Sequence, residues 1–586
     1  MFNNIERYLK LKDNLPKFYN IHKNEKVFIF TVNYDWLKFC LSSSLILSSR
    51  GCLIDLYFEK TWDFNNVPQD YVFKTYSEII TPFKKKFLDD KINFKDLDDL
   101  ENKEININKN LNNELHYQTI IDICHKYHVL YPDIKGNFKE IFEEKLLFYQ
   151  KLAVKFLTIF QNKKYDRYIV PVGNNYQWAI CRIVLEYLKI DYISIEGSIN
   201  FLDKKILVTK NHPAPSLDSH MILNDWINYQ NQIRKSDYDK IVNLNKDGLN
   251  KIYDPKSIQS LQLSDKKNNK IKKKKNKRIL ILPSFVHEMH YRLKHFCFND
   301  QNDWLFSTLD FFIENKNKLK DTEILIRFHP IPVYDGAKVK GEDLEKFEKS
   351  DEYSLKIFLE KYSNENIFTP IRPDDLVNAN TLDLIKTADL ILTYQSASGL
   401  EASTIGKEIV CCTNCYWSNK GFSHDPKSKD EYFQIIIDFF ENKLKKKNNL
   451  LIANNFFYFF HYIFHKNFPW NMLWGGNFYR GLELEDVITL TSVQNGDFSS
   501  FDKIIDKKPI NLGNEEREIK KKIFFNLKKG NVYVANILVG RLKHILSELN
   551  NNKFNLKFFK FLEILTIKLL ICLFRFFKKF KFFNFI

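Results

Sequence analysis

Leu390-Ile391-Leu392-Thr393-Tyr394-Gln395-Ser396-Ala397-Ser398-Gly399-Leu400-Glu401-Ala402-Ser403-Thr404-Ile405-Gly406 decides how this chain is read. Leu390 to Thr393 is a short apolar run, the mark of a strand buried on both faces of a parallel sheet. Tyr394 to Ser398 is a polar turn of small residues. Gly399 to Ile405 reads as a short helix, and Gly406 suits its left-handed C-terminal cap. Glu408 to Cys412 is the next strand. A turn of small residues entering a helix leaves backbone N–H groups without helical partners, all pointing one way, and such a spot attracts a phosphate.

Outward from this stretch the pattern repeats. Strand Ile279 to Leu282 opens the second half of the chain, and Trp304 to Lys316 reads as a helix. Strand Glu323 to Phe328 ends in Arg327-Phe328-His329-Pro330. The loop after the first of these strands carries His287, His290 and Arg292, which can meet an anion. A histidine pair three apart also invites a metal, but no third ligand stands nearby in sequence. The first half has the same grammar. Strand Lys26 to Val32, helix Trp36 to Ser49 and strand Cys52 to Phe58 make a β-α-β unit. Helix Phe138 to Asn162 precedes strand Tyr168 to Val172, which ends in Gly173-Asn174-Asn175. Helix Tyr176 to Leu188 leads to strand Asp191 to Ile195, which ends in Glu196-Gly197-Ser198. Ligands of open α/β sheets bind at the carboxyl ends of strands. Glu196 is therefore the first candidate general base, with a turn-stabilising carboxylate as the competing reading, and Asp35 is the second candidate. Asp96-Leu97-Asp98 lies in a charged, helix-like run with no strand before it and reads as a solvated face.

Composition narrows the class. A chain of 586 residues with 44% hydrophobic content builds two or three domains. Only 17 Gly and 16 Pro speak against repeats, collagen and low-complexity disorder. The net charge of +17 first suggests nucleic acid, yet Lys266 to Arg278 carries +9 of it and Lys553 to Ile586 carries +7. The body between is near neutral, whereas a nucleic-acid binder spreads a basic stripe over a folded face. Nine cysteines lack framework spacing, so neither disulfides nor a zinc site is expected of Cys411, Cys412 and Cys415. No secretory leader and no spanning segment is visible. The aromatic run Phe456 to Phe468 reads as a helix buried against the body.

The tail is unusual in its pattern. At 100° per residue, Lys553, Lys557, Lys560, Lys568, Arg575, Lys578 and Lys579 share one sector of a helix that is otherwise Phe, Leu and Ile. A narrow basic stripe on a wide apolar helix suits one lying in the plane of an anionic membrane surface.

The expected fold class is α/β, with two Rossmann-like domains facing across a cleft, a helical C-terminal region and a basic amphipathic tail. The expected organisation is an acceptor domain over 1–262, a Lys-rich linker over 263–278 and a donor-nucleotide domain over 279–450. A helical region follows over 451–550, and a membrane-associating tail over 551–586.

Arg327-Phe328-His329-Pro330, followed about 60 residues later by the stretch quoted above, resembles the donor half of GT-B glycosyltransferases. It is most similar to bacterial capsule polysaccharide biosynthesis proteins, including the Kdo transferases of capsule assembly. Cys415-Tyr416-Trp417-Ser418-Asn419-Lys420-Gly421-Phe422 resembles a loop of that family. The specific match spans about Ile279 to Tyr432, while the first half resembles the family in layout only. The resemblance implies transfer of a sugar from a nucleotide-sugar donor, a substrate rather than a cofactor, to a polysaccharide or lipid-linked acceptor. It implies no bound metal, while the charge distribution speaks against nucleic acid and the tail suggests work at the cytoplasmic membrane face. On that pattern His329 contacts the donor phosphate, with Arg327 and Arg292 assisting, and Ser396, Ser398 and Gly399 lie beside it. Glu401 holds the nucleotide ribose, although Ser398-x-x-Glu401 also reads as a capping box in which each side chain satisfies a backbone N–H. Three other readings compete: a CDP-glycerol-type polymer transferase, a sugar-nucleotide 2-epimerase, and a non-catalytic capsule assembly subunit.

Overall fold

The computed structural model describes residues 24–32, 34–59, 81–86, 91–100, 107–127, 132–197, 205–213, 219, 221–252, 273–284, 297–328, 350–371 and 381–467, with isolated helical positions between 517 and 569. Arg292, His287, His290, His329 and the amphipathic pattern of the tail lie outside the described residues.

The first half is built on β1 (Lys26–Thr31), α1 (Tyr34–Ser49), β2 (Leu53–Phe58), β3 (Ile92–Asp96), α2 (Lys109–Tyr127) and α3 (Lys139–Asn162). It continues with β4 (Arg167–Pro171), α4 (Tyr176–Tyr187), β5 (Ile193–Gly197), β6 (Lys205–Lys210), α5 (Leu223–Gln230) and α6 (Tyr238–Ile252). The strands β3-β2-β1-β4-β5 pair in parallel in that order, and β6 closes the row antiparallel to β5. This is the doubly wound order, whose crevice opens where the winding reverses, between β1 and β4. Val27 to Phe30 and Ile169 to Val170 are fully shielded from solvent, as a sheet covered on both faces requires.

The second half repeats the scheme. It comprises β7 (Lys277–Leu282), α7 (Gln301–Glu314), β8 (Thr322–Arg327), α8 (Ser350–Tyr362), β9 (Phe368–Ile371), α9 (Thr381–Thr387), β10 (Leu390–Thr393), α10 (Ala397–Thr404), β11 (Glu408–Cys411) and α11 (Lys429–Phe440). The order β9-β8-β7-β10-β11 is parallel throughout and winds as the first sheet does. Its crevice therefore falls between β7 and β10. The last two residues of the basic run already belong to β7. Arg278 is fully buried there, and its Nε donates to Glu323 Oε1 at 2.8 Å.

The chain then returns to the first half. Helix α12 (Leu450–Tyr458) continues into a π-type turn over Phe459–Phe464 and a two-residue strand β12 (Lys466–Asn467). β12 pairs antiparallel with β6, the edge strand of the first sheet. Phe456, Phe457, Phe459, Phe460 and Phe464 are buried, so the expected aromatic helix does pack on the body, starting earlier than the aromatic run itself. Asn245 Nδ2 donates to Asn454 Oδ1 at 3.0 Å, and Tyr462 Oη to the Leu244 carbonyl at 3.1 Å. Leu207, Ile222, Trp226 and Leu249 share one core cluster with Leu280, Ile391, Trp417 and Phe456. Two Rossmann-like domains are thus joined by apolar burial as well as by the chain.

Two local expectations change. Asp96 ends a strand, β3, and is buried; its carboxylate accepts from Asp98 N at 3.0 Å and caps a short 3-10 turn. The alternation in Ile92–Asp96 was hidden because polar Asn93 and Lys95 share one face and Asp96 stands on the other with Ile92 and Phe94. Helix α10 starts at Ala397 rather than Gly399, because Ser396 is its N-cap and accepts from Ser398 N at 3.2 Å. That removes the Ser398–Glu401 capping box, since Ser398 and Glu401 stand at the second and fifth helical positions.

Candidate functional site

The turn between β10 and α10 sits at the crevice of the second sheet, and its shape is set from below. Thr393 Oγ1 receives the Ser396 N–H at 3.1 Å and donates to the Leu282 carbonyl of β7 at 3.2 Å, fastening the turn to the neighbouring strand. Thr413 Oγ1 donates to the Tyr394 carbonyl at 2.7 Å from behind. The exit of β7 is clamped alongside. The Ser284 N–H donates to Gln301 Oε1 at 2.8 Å, and Gln301 Nε2 returns a bond to the Ser284 carbonyl at 2.6 Å. The reciprocal Ser284–Gln301 bonds fix the exit of β7 beside the turn.

The helix itself is closed at its far end. Gly406 takes φ +85°, its N–H reaches the Ser403 carbonyl at 3.1 Å, and the Lys407 N–H reaches the Ala402 carbonyl at 3.2 Å. That pair is a Schellman cap, and the expected left-handed Gly406 is there because only glycine takes this φ without strain. At the near end Gly399 meets Trp417. A Cβ on Gly399 would lie 2.4 Å from Trp417 Cζ2 and 2.6 Å from Cη2. The backbone of the first turn therefore rests directly on an indole ring.

Thiols and a phenol line the back of the turn, with the carboxylates of Asp300 and Asp303 acting on Tyr394 and buried Glu401 one turn into α10. Burial pushes the thiols of Cys411 and Cys412 and the phenol of Tyr394 well above their ordinary values. The first turn of α10 holds no acidic side chain. Cys411 Sγ and Cys415 Sγ lie 3.6 Å apart as buried thiols, and no group of three or more metal-ligating side chains occurs among the described residues.

The equivalent place in the first domain is different. The loop after β4 carries Val172 at φ +60°, Gly173 at φ +78° and Tyr176 at φ +51°. A β-branched residue at positive φ is strained and persists only where its surroundings over-determine it. Here they do. Ser194 Oγ donates to the Val172 carbonyl at 2.8 Å, Arg182 Nε to Gly173 O at 2.5 Å and Gln118 Nε2 to Asn174 O at 3.0 Å. Buried Asp122 accepts the Tyr176 N–H at 3.1 Å, the first amide of α4, and the Tyr149 hydroxyl at 2.7 Å. A carboxylate of the protein's own thus occupies the N-terminus of the helix at this crevice. Against the same cluster Lys145 lies 5.0 Å from the Tyr149 ring and 5.3 Å from that of Tyr176, and burial brings its ammonium pKa down to about 7.

The candidate residues are distributed as follows. Ser396, Ser398, Gly399 and Glu401 come together on the β10–α10 turn, with Glu401 only 6% exposed. Arg327 is buried at the carboxyl end of β8, on the same edge of the same sheet. Glu196 belongs to the other sheet, buried in the last turn-ward residues of β5 and paired in register with Leu207 of β6. Sequence reading missed Asp122, Gln301, Thr413 and Trp417. Their partners are 17 to 54 residues away and nothing local marks them.

No family model matches the chain, and no curated protein matches it. Solved structures do. The beta Kdo 2,4 transferase KpsC of Thermosulfurimonas dismutans is similar at 13% identity, covering 51% of this chain and 84% of that one, with a TM-score of 0.30. The beta Kdo 2,7 transferase KpsC of the same organism is similar at 14% identity, over 51% of this chain and 78% of that one, with a TM-score of 0.28. The UDP-GlcNAc 2-epimerase of Methanocaldococcus jannaschii in complex with UDP-GlcNAc and UDP is similar at 14% identity, over 75% of this chain and 99% of that one, with a TM-score of 0.27. Two Rossmann-like sheets of like winding, with a C-terminal strand that returns to pair with the first, give this chain a GT-B-like two-domain α/β fold.

Proposed function

We propose that the protein is a glycosyltransferase that holds a nucleotide-sugar on the β10–α10 turn and moves the sugar to a surface polysaccharide or lipid-linked acceptor. One observation carries this reading: the two crevices are electrostatically unlike. In the first domain Asp122 already fills the N-terminus of α4, so a phosphate there would face a carboxylate. In the second the N-terminus of α10 is capped by the Ser396 hydroxyl, and its first turn holds no acidic side chain. Of the two helix N-termini, that of α10 is the better suited to a diphosphate.

On this reading the amides of the first turn of α10 meet the phosphate, Ser396 and Ser398 lie beside it, and Glu401 accepts from the ribose hydroxyls. His329, with Arg327 and Arg292, supplies positive charge where negative charge develops on the leaving phosphate, in place of a metal. Glu196 takes the proton from the acceptor hydroxyl. That oxygen bonds to the anomeric carbon as the bond from carbon to phosphate oxygen breaks. Calorimetric titration with UDP, CDP, CMP and GDP tests the site, and one of them is expected to bind. Incubation with the matching nucleotide sugars then separates the chemistries. Nucleotide release on adding a saccharide acceptor supports transfer, an isomerised donor supports epimerisation, and absence of binding to every nucleotide overturns the reading.

The same proposal places the protein on the inner face of the membrane through Lys553 to Ile586. None of the described helices is long and apolar enough to cross a membrane. The protein lacking residues 553–586 is expected to stay in the supernatant when spun with anionic vesicles, while the full chain sediments. Equal sedimentation of both forms would remove the tail from the account.

A further inference from the structure

The loop after β11, from Asn414 to Phe422, touches both domains. On one side Trp417 carries the first turn of α10 at Gly399. On the other it grips Ser219 of the first domain. Ser219 N donates to the Asn414 carbonyl at 3.1 Å, and Ser219 Oγ to the Ser418 carbonyl at 2.7 Å. Lys420 completes the grip. Its Nζ donates to Ser219 O at 2.9 Å, Ser219 Oγ at 2.5 Å and Ser418 O at 3.3 Å, and lies 5.9 Å from the ring centroid of Phe456.

We propose that this loop couples occupancy of the β10–α10 turn to the position of the first domain, with Lys420 as the positioning residue. The inference rests on the reading of that turn as a nucleotide site. Lys420 is 6% exposed, and a buried ammonium is tolerated only when its N–H groups are satisfied. Here its partners are oxygens of a serine about two hundred positions away and of its own loop. Such a contact has one good geometry, so a shift of the loop must either carry Ser219 with it or break the bonds. The turn cannot move independently of the loop either. Gly399 and Trp417 are in contact with no void between them, and close-packed groups transmit displacement. An anion drawing on the first-turn amides therefore acts on Trp417, and through the loop on Ser219. A second line of contact runs in parallel. Trp417 stacks on Phe422 with centroids 6.4 Å apart, Phe422 lies 5.7 Å from Phe456, and Phe456 meets Trp226 of α5 edge-on at 5.1 Å. The apolar line supplies stiffness. The ammonium supplies the discrete bonds that give two distinguishable arrangements.

Amide hydrogen exchange tests this on the full chain, with UDP, CDP, CMP and GDP each at saturation. In the wild type, the nucleotide that binds is expected to slow exchange across 219–252 by about fivefold or more, in line with ordinary coupling energies. Lys420→Met is expected to lose that slowing while its nucleotide affinity stays within about twofold of wild type. Ser219→Ala, which removes the hydroxyl and keeps the backbone carbonyl, is expected to lose part of it and serves where Lys420→Met does not fold. Slowing retained in Lys420→Met, slowing undiminished in Ser219→Ala, or none in the wild type despite binding overturns the coupling alone. No binding by any of the four nucleotides overturns the reading of the turn and the coupling with it.

Discussion

On the proposed reading, Glu401→Gln is expected to weaken nucleotide binding by about 5- to 10-fold, since a charged acceptor worth about 1.5–3 kcal/mol becomes a neutral one worth about 0.5–1.5 kcal/mol. The fold survives the change. Gln has the shape of Glu, and Glu401 does not cap its helix: Ser396 does, and its bond to Ser398 N is untouched. That separates the two roles the sequence left open. A cap would show itself as a loss of stability of about 1 kcal/mol with affinity unchanged. A ribose ligand shows itself as lost affinity with the unfolding temperature nearly unmoved. Calorimetry and thermal unfolding of the same two proteins decide it. Affinity within about twofold of wild type would remove Glu401 from the site. The carboxylate also has a local reach, since Glu401 is among the groups that raise the buried Tyr416 hydroxyl, after burial itself and Cys415. A small shift in Tyr416 on substitution is therefore part of the expected result.

Gly399→Ala has the second large effect. Its methyl would lie 2.4 Å from Trp417 Cζ2, 2.6 Å from Cη2 and 3.2 Å from Thr393 Cγ2. The indole cannot yield easily, because Trp417 is fully buried and stacked on Phe422. Overpacking of this kind costs about 1–3 kcal/mol of stability. The strain falls on the first turn of α10, so nucleotide affinity drops as well. Trp417→Phe makes room, and the double variant should recover part of both losses, with a coupling between the two sites of about 0.5–3 kcal/mol. Strictly additive losses would mean that the ring is not what excludes the methyl.

Much of the site was legible because it is local. Strand, turn, helix and Gly406 follow one another within 17 residues, and each depends on its immediate neighbours. Buried parallel strands announce themselves as apolar runs, which is why β7, β8 and β10 could be read directly. β3 could not: Asn93 and Lys95 contact Asp55 of the next strand, and that pairing is invisible until the strands meet. The start of α10 was misplaced because Ser396 and Ser398 are equally good caps by composition. Thr393 Oγ1, which takes the Ser396 amide, settles which of them is used.

By itself the sequence determined the class of the fold, the number of sheets and the strand-turn-helix proposed as the phosphate site, since periodicity and turn chemistry are short-range properties. Only the tertiary structure showed how the two crevices differ. The difference lies in Asp122, 54 residues before the Tyr176 amide it occupies, and in Thr413 and Trp417, which shape the other turn from behind. A carboxylate or an indole acts on whatever backbone it is folded against, and that partner is chosen by packing over long separations rather than by any neighbour in the chain.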